Sequence, residues 1–349
     1  MKLEIMPDGT LLQPPHQDNS AAWFGCDLAK YPEIWTTYLS TDHVAELQRA
    51  LINVVSCDTG MAAITKDVFP LPTLGPVLSA LQQELLHGRG FTLIRGLNNE
   101  GFTEREIAIM FFGLGSYFGH ARSQNAAGQI LGYVQDYGAN SLDNDVRIYQ
   151  TSERQTFHTD SSDVVGLACL RQAKSGGESM IVSASSIYNV FLKIRPDLLS
   201  CLFDPIATDR RGEIPEGMKP YFEIPVFTWH KGHLNIMYQR QYIDSAQRFA
   251  DAMRLTPDHV EALNLFDELA NDPELNLTMK LEPVDMLFVH NHTLLHDRAA
   301  FEDWPEPERK RHMLRLWLSV PGDRPLPDCF ATRFGTTTIG NRGGIVLSG

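Results

Sequence analysis

Hydrophobic positions along the chain change texture near residue 129. Residues 1 to about 40 are rich in proline, aspartate and aromatics without a clear period, which predicts a lead-in that wraps the body. Helical signals follow. Ser40-Thr41-Asp42 is placed to cap a helix through about Val54. Leu71-Pro72-Thr73 opens a second through Leu86, with Leu78, Leu81, Leu85 and Leu86 at helical spacing. Gly88-Arg89-Gly90 ends it. Phe91 to Leu97 reads as a buried strand between glycines, and Thr103 starts an amphipathic helix reaching about Phe118.

Beyond residue 129 the apolar runs become short and are separated by turn signals. Strands are predicted over Ile130 to Val134, Val164 to Leu170 and Ser179 to Val182. Helices at Ala184 to Ile194 and Pro196 to Leu202 interrupt them. Val226 to His230, a Lys231-Gly232 turn and His233 to Tyr238 predict a β-hairpin. A helix from Thr256-Pro257 to about Ala270 has threonine as cap and proline in its first turn. Leu275 to Leu281, Met286 to His290 and His312 to Val320 complete the strands.

Many short strands, with helices at the front and in insertions, predict a mainly-β fold with flanking helices. The architecture expected is a double-stranded β-helix (jelly-roll) barrel with an N-terminal helical layer and helical insertions. Residues 1–85 are expected to pack on the barrel as lead-in and helices, and residues 86–349 to form its core with insertions and a C-terminal tail, all one structural unit. A doubly wound parallel sheet would alternate strands and helices more regularly, and neither G-x-G-x-x-G nor a Walker sequence is present.

Composition narrows the function. A hydrophobic share of 43% over 349 residues is ample for a large core. The net charge of -13 argues against a broad nucleic-acid or anionic-membrane surface, leaving a small molecule as the expected partner. The start lacks a basic region followed by an apolar stretch, and no apolar run of about 18 residues occurs, so a cytoplasmic location is expected. Cys26, Cys57, Cys169, Cys201 and Cys329 are odd in number and scattered, without a Cys-x-x-Cys pair. They predict neither a disulfide framework nor a structural zinc site; Cys169, in an apolar run, reads as a small core residue. Homo-oligomerisation is allowed by the sequence but not signalled in it.

The chemistry centres on His158-Thr159-Asp160. In an extended segment an imidazole and a carboxylate two residues apart project from one face and are able to grip a single metal ion. The pattern is weak alone: 12 histidines and 43 acids predict about one or two chance matches, and the chain holds three. His16-x-Asp18 lies in the lead-in, where nothing fixes its geometry. His259-x-Glu261 falls in the first turn of a helix, where i and i+2 do not face each other. Only His158-x-Asp160 lies among strands. A third ligand would complete a two-histidine, one-carboxylate set with three positions left open for chemistry. His290, His292 and His296 are the candidates, and spacing does not choose among them.

A companion signal lies in Arg311 to Val320. The even positions from 314 put Leu314, Leu316, Leu318 and Val320 on one face; Arg311, Met313, Arg315 and Trp317 share the other. Methionine and tryptophan between the arginines predict that this face is at least half buried. An unpartnered buried guanidinium costs roughly several kcal/mol. A bound carboxylate would remove that cost through a bidentate pair of roughly 1.5–3 kcal/mol. A metal triad plus a buried arginine poised for a carboxylate is what an iron enzyme using 2-oxoglutarate requires.

These segments resemble the taurine dioxygenase/TfdA-type family of Fe(II)- and 2-oxoglutarate-dependent oxygenases. The matching pieces run in the family's order over roughly residues 88–320. They are Gly90 to Leu97, His158-Thr159-Asp160, Gly176-Gly177-Glu178-Ser179, Val284 to Leu287, Asn291 through Arg298, and Arg311 through Leu318. The resemblance implies that His158, Asp160 and His296 hold Fe(II), with Asn291 five residues before the distal ligand. It demotes His290 and His292 to supporting roles. It further implies that Arg315 binds the C5 carboxylate of 2-oxoglutarate, that Ser179 assists, and that Arg311 lies near the C1 end. Ser179 stands where the family often has threonine, and His290 where it usually has an acid.

The activity implied is oxidation of a substrate C–H bond while 2-oxoglutarate and O2 become succinate and CO2. Hydroxylation is the default outcome; desaturation or ring closure are variants of it. Spare arginines favour a small carboxylate-bearing substrate, an amino acid or organic acid. Arg122, Arg154 and Arg240, with Tyr133, Gln135, Tyr149 and Gln150, are candidates for the barrel mouth. The glycine-rich tail, Phe334 to Ile345, is expected to form a lid. The alternatives are a jelly-roll metalloenzyme without 2-oxoglutarate and a non-catalytic binding protein.

Overall fold

A computed structural model describes residues 14–98, 100–139 and 147–345. Two β-sheets face each other. The larger runs in the order Thr36–Tyr38, Phe91–Arg95, Met286–His290, Val164–Arg171, His312–Ser319 and His120–Ala121, with Leu131–Val134 also paired to His312–Ser319. All neighbours are antiparallel except the first pair. The smaller sheet, antiparallel throughout, is ordered Asn276–Met279, Ser179–Ser183, Leu294–Arg298, Gln155–His158. This is the jelly-roll barrel.

Alternation along one strand decides what each face meets. In His312–Ser319 every residue is buried. Leu314, Leu316 and Leu318 join the core beneath the helices Thr41–Ser56, Leu74–His87 and Glu104–Phe118. Met313 and Trp317 join a separate core between the sheets, with Val165, Ile181 and Leu287. The helical layer thus lies outside the larger sheet, pinned by contacts such as Phe118 on Phe288, ring centroids 4.3 Å apart. Cys169 packs in the inter-sheet core as a small apolar residue.

The caps are sequence-local. Ser40 accepts from His43 N, and Thr103 and Glu106 satisfy each other's backbone in a capping box. The helix Leu74–His87 lacks a side-chain cap from its own N-cap residue, Thr73. Buried Glu46 replaces it, accepting from the amides of Thr73 and Leu74 at 2.8 and 2.7 Å. A third core gathers the 184–275 insertion: helices Ala184–Ile194 and Pro257–Asn271, and the hairpin Phe227–His230/His233–Ile236.

Several boundaries differ from the sequence reading. The lead-in supplies a strand, Thr36–Tyr38, which adds parallel to Phe91–Arg95. The helix expected over Pro196 to Leu202 is α-helical only to Leu199 and continues as a 3-10 turn, Ser200–Phe203. A hairpin of Ile206–Asp209 with Tyr221–Ile224, and the helix Arg240–Ala246, were not foreseen.

Candidate metal centre and its surroundings

His158 ends the strand Gln155–His158, and His296 sits directly opposite it in Leu294–Arg298. Their ring centroids are 4.1 Å apart. Asp160 follows in the turn, its Oδ2 3.6 Å from His296 Nε2. One ligand atom from each of the three lies within 4.8 Å of the others, and all three side chains are buried. The other two His-x-acid matches have ordinary roles: His16 pairs with Asp18 at an exposed site, and His259 completes the cap at Thr256.

The donor chemistry fits a divalent cation. His158 Nδ1 lies 2.9 Å from the Thr156 carbonyl and so carries the proton, while Nε2 accepts from the Gln155 carboxamide at 2.9 Å. Burial, reinforced by His296, pushes the His158 imidazolium pKa down to about 3, which keeps the ring neutral. Burial works to raise the Asp160 carboxyl, but Arg315, His296 and His158 outweigh it and hold it well below the usual carboxylate range. Two imidazoles, that of His158 held neutral, and a carboxylate therefore converge on one point, the ligand set that suits iron(II) and leaves coordination positions open.

The surrounding residues fix this geometry. Trp317 Nε1 donates to Asp160 Oδ2 at 2.7 Å. Asn291 accepts from the Asp160 amide at 3.1 Å and donates to the Ser162 carbonyl at 3.0 Å, tying the turn to the next strand. Arg154 clamps Asp297, the neighbour of His296, at 2.6 Å. These contacts orient ligands without occupying them.

His290 and His292 lie elsewhere. With Asp163, Asp323 and Arg342 they form a fully buried charge cluster. His292 Nε2 is 2.8 Å from Asp163, His290 Nε2 3.1 Å from Asp323, and Arg342 reaches Asp163 at 2.6 Å and Asp323 at 2.9 Å. A guanidinium already fills the space between these groups, so the cluster is a structural lock and not a second metal site. It anchors the tail: the Gly344 amide donates to the Ser161 carbonyl at 2.7 Å and the Ile345 amide to Ser123 at 2.8 Å. The segment expected as a lid is a strap fastened at its two ends: Phe334 and Arg342 to Ile345 are buried, residues 335–341 between them are exposed or half-buried, and Arg333, directly before it, lines the cavity wall.

The two strand arginines stand at opposite ends of one inner face, Arg315 nearer Asp160 and Arg311 nearer Ser179. Arg315 lies against the metal end: Nη1 is 3.7 Å from Asp160 Oδ2, Nε donates to Gln124 at 2.8 Å, and the guanidinium packs on Tyr149 and Trp317. Arg311, on the same face and about 13 Å along the strand at ~3.3 Å per residue, is far from Asp160. One cavity is lined by His158 and His296 and also by Ser179, Arg298 and Arg311. Ser179 is paired with Arg298 across the smaller sheet, two residues beyond the His296 register. Arg311 Nη1 is buried without a hydrogen-bond partner among the described residues, and burial lowers its pKa. Arg298, lowered to about 9 by burial and by Arg311, gives its η nitrogens to the carbonyls of Thr151 and Glu153. Sequence alternation placed both arginines on the inner face; which end each served depended on the cross-strand register.

Of the other candidates for the mouth, Tyr149 lines both site cavities. Arg240 is committed to Asp244 and Asp267, Arg154 to Asp297, and Arg122 donates to Asn341 and to the Gly343 carbonyl. Sequence reasoning passed over Gln124, Arg147, Tyr242 and Arg333. They come from segments without periodic patterning, and only the fold brings them together.

A jelly roll carrying two histidines and a carboxylate on facing strands is the construction of a mononuclear non-heme iron oxygenase. Residues 58–317 match the family described as taurine catabolism dioxygenase TauD, TfdA family. The chain is 33% identical over 304 residues to FR-33289 synthase of Streptomyces rubellomurinus, spanning 85% of this chain and 89% of that protein. It is 31% identical over 325 residues to the taurine hydroxylase-like protein SAT17 of Stachybotrys chartarum, spanning 87% and 82%. Among solved structures, an asparagine oxygenase in complex with Fe(II), 3-hydroxyasparagine and succinate superposes with a TM-score of 0.64 at 16% identity, covering 81% of this chain and 93% of that one. The non-heme iron oxygenase OrfP in complex with Fe and alpha-ketoglutaric acid gives 0.62 at 12% identity, covering 81% and 93%. The chain belongs to the TauD/TfdA family of Fe(II)- and 2-oxoglutarate-dependent oxygenases, and is a dioxygenase that uses both. Among the described residues no helix is long and apolar enough to cross a membrane.

Proposed function

We propose that His158, Asp160 and His296 hold the iron, that Arg311 and Ser179 take the distal carboxylate of 2-oxoglutarate, and that the enzyme oxidises a C–H bond of a small substrate bearing an anionic group, such as the carboxylate of an amino acid or organic acid. The observation that carries this reading is the partnerless, buried Arg311 Nη1 in the cavity that also touches His158 and His296. A carboxylate there completes a charge-assisted pair that the protein itself does not supply. Arg315, set beside Asp160, serves the metal end instead: it keeps that ligand ionised and faces the 1-carboxylate end of the co-substrate.

With 2-oxoglutarate and O2 bound, the iron supplies the oxidation of the substrate carbon, with succinate and CO2 as co-products. The chain's own groups position and exclude. Gln124 fixes Arg315, Trp317 and Asn291 fix Asp160, and apolar Ile181, Leu287 and Met313 wall the 2-oxoglutarate cavity. A second cavity, which also reaches His158 and is lined by Asp160, Arg147, Tyr242 and Arg333, is the place for substrate. Hydroxylation is the outcome assigned by default. Succinate release under air, screened across amino acids, small organic acids and their decarboxylated analogues, tests the reading: stimulation by one compound bearing an anionic group, abolished in His296→Ala, is expected. Stimulation only by compounds without an anionic group would contradict the substrate class.

A further inference from the structure

The wall of the substrate cavity carries more positive charge than the protein neutralises. Arg147 and Arg333 line the same cavity as His158 and Asp160. Arg210, buried, stands behind: its guanidinium and that of Arg333 each lie 5.5 Å from the ring of Phe222. Three guanidiniums are thus gathered, and one carboxylate, Glu213, pairs with one of them, Arg147. Arg333 gives Nε to Ser161 Oγ at 2.7 Å, and among the described residues no carboxylate lies within ion-pair distance of it or of Arg210. Of the acids lining this wall, Asp209 is already taken by Arg248 at 3.0 Å and Ser245 at 2.5 Å, and Asp160, which acts on Arg147 and Arg333 only through space, belongs to the metal site, where Trp317 donates to it.

Such a cluster is costly in isolation. Guanidiniums within a few ångströms repel, and more strongly where the surroundings are dry. Burial, with Arg147 and Arg210, pushes Arg333 down to about 9, although an arginine ordinarily stays charged at any accessible pH. An anion entering the cavity removes the repulsion and meets planar donors suited to bidentate contact. Hydroxyls of Thr208 and Tyr242 line the same wall.

We infer that Arg147 and Arg333 form an oxyanion subsite that anchors the substrate's charged group beside the iron, Arg333 being delivered by the C-terminal strap. The ligand class is an oxyanion, either a carboxylate or a tetrahedral phosphoryl or sulfonyl group. Anchoring at this point fixes which carbon faces the metal, so the subsite sets both specificity and the position oxidised. The inference rests on the reading above that this cavity receives an anionic substrate.

The test is calorimetric titration of the full-length protein, anaerobic and loaded with Fe(II) and saturating 2-oxoglutarate, with acetate, methylphosphonate, methanesulfonate and methylammonium. At least one of the three anions is expected to bind and methylammonium not to. Arg333→Gln and Arg147→Gln are each expected to weaken that anion about tenfold or more, roughly the loss of one charge-assisted pair. Which anion binds best separates carboxylate from tetrahedral chemistry. Arg333→Lys, which keeps the charge and loses the fork, is expected to fall between, and carries the test should the glutamine variants misfold. Equal affinity in wild type and variants, binding of methylammonium, or loss of the anion in Arg311→Gln alone would overturn the subsite. The visible band of the Fe(II)–2-oxoglutarate protein is read separately. Its absence in the wild type would count against the proposed iron and co-substrate ligands, while the anion titration would still judge Arg147 and Arg333.

Discussion

Replacing Arg342 by methionine keeps most of the side-chain length and removes the cation that separates Asp163 from Asp323. At neutral pH the wild-type cluster holds one guanidinium, two carboxylates and two imidazoles, every side chain buried. Burial outweighs the neighbouring carboxylates and pushes His290 down to about 4, so that ring folds neutral. The variant leaves Asp163 and Asp323 without the guanidinium that pairs with both, and breaking a buried pair in this way costs about 3–5 kcal/mol, against a typical total stability of about 5–15.

The pH dependence should reverse between the two proteins. In the wild type His290 is depressed below its unfolded value of 6.5, so its contribution is present above 6.5 and is lost as pH falls toward 4, about 3 kcal/mol in all. In Arg342→Met, Arg324 beside Asp323 is a remaining cation among the described residues, and His290, bonded to Asp323, gains by protonating. Its folded pKa should rise above the unfolded value, giving stability that is present below about 6.5 and lost as pH increases. Urea unfolding followed by tryptophan fluorescence at pH 5.5, 6.5 and 7.5 measures both. The gap between the proteins is expected to be about 3–5 kcal/mol at pH 7.5 and to narrow by more than about 1 kcal/mol at pH 5.5. A gap below about 1 kcal/mol at pH 7.5, or one that does not change with pH, would refute the charge-lock reasoning.

Trp317→Phe removes the donor to Asp160 Oδ2 while keeping an aromatic ring; Fe(II) or Mn(II) affinity, followed by titration, should fall about 10–100-fold, with unfolding far less affected. Gly344→Ala places a Cβ 2.8 Å from the Ser123 carbonyl oxygen at a residue with φ of +83°, and should cost about 1–3 kcal/mol in the same urea assay. Asn291→Ala frees the turn that carries Asp160, so weaker metal binding is expected even though Asn291 is not a ligand; unchanged metal affinity would show that the turn holds itself.

The parts that were legible in the sequence are those with a period or a cap. Leu314, Leu316 and Leu318 against Met313 and Trp317 declared the two faces of one strand, and both faces met the cores that alternation demanded. Context also separated His158 from His16 and His259. Register was not legible. Arg311 and Arg315 share a face, so periodicity could not say which one stood beside Asp160; the pairing of His312–Ser319 with Val164–Arg171, which sets Leu318 opposite Val164 and Arg315 opposite Leu167, decides it. Thr36–Tyr38 had β-branched and aromatic residues but only three positions, too few to stand out from the lead-in. Arg147 and Arg333 lie in irregular segments about 190 residues apart, and only the strap that Arg342 anchors brings them to one cavity.

In the proposed site His158, Asp160 and His296 hold iron, and Arg311, in the cavity that reaches His158 and His296, takes the distal end of 2-oxoglutarate. Anaerobic titration of the Fe(II) protein with 2-oxoglutarate, followed by its visible charge-transfer absorption, tests this most directly. The wild type should develop the band at saturation. His296→Ala should lose it, and Arg311→Gln should need about tenfold or more 2-oxoglutarate to reach it, the loss of one charge-assisted pair. Arg315→Gln should change the band's position more than the concentration required. A band that forms normally in Arg311→Gln but is abolished in Arg315→Gln would contradict the account and return the distal carboxylate to Arg315.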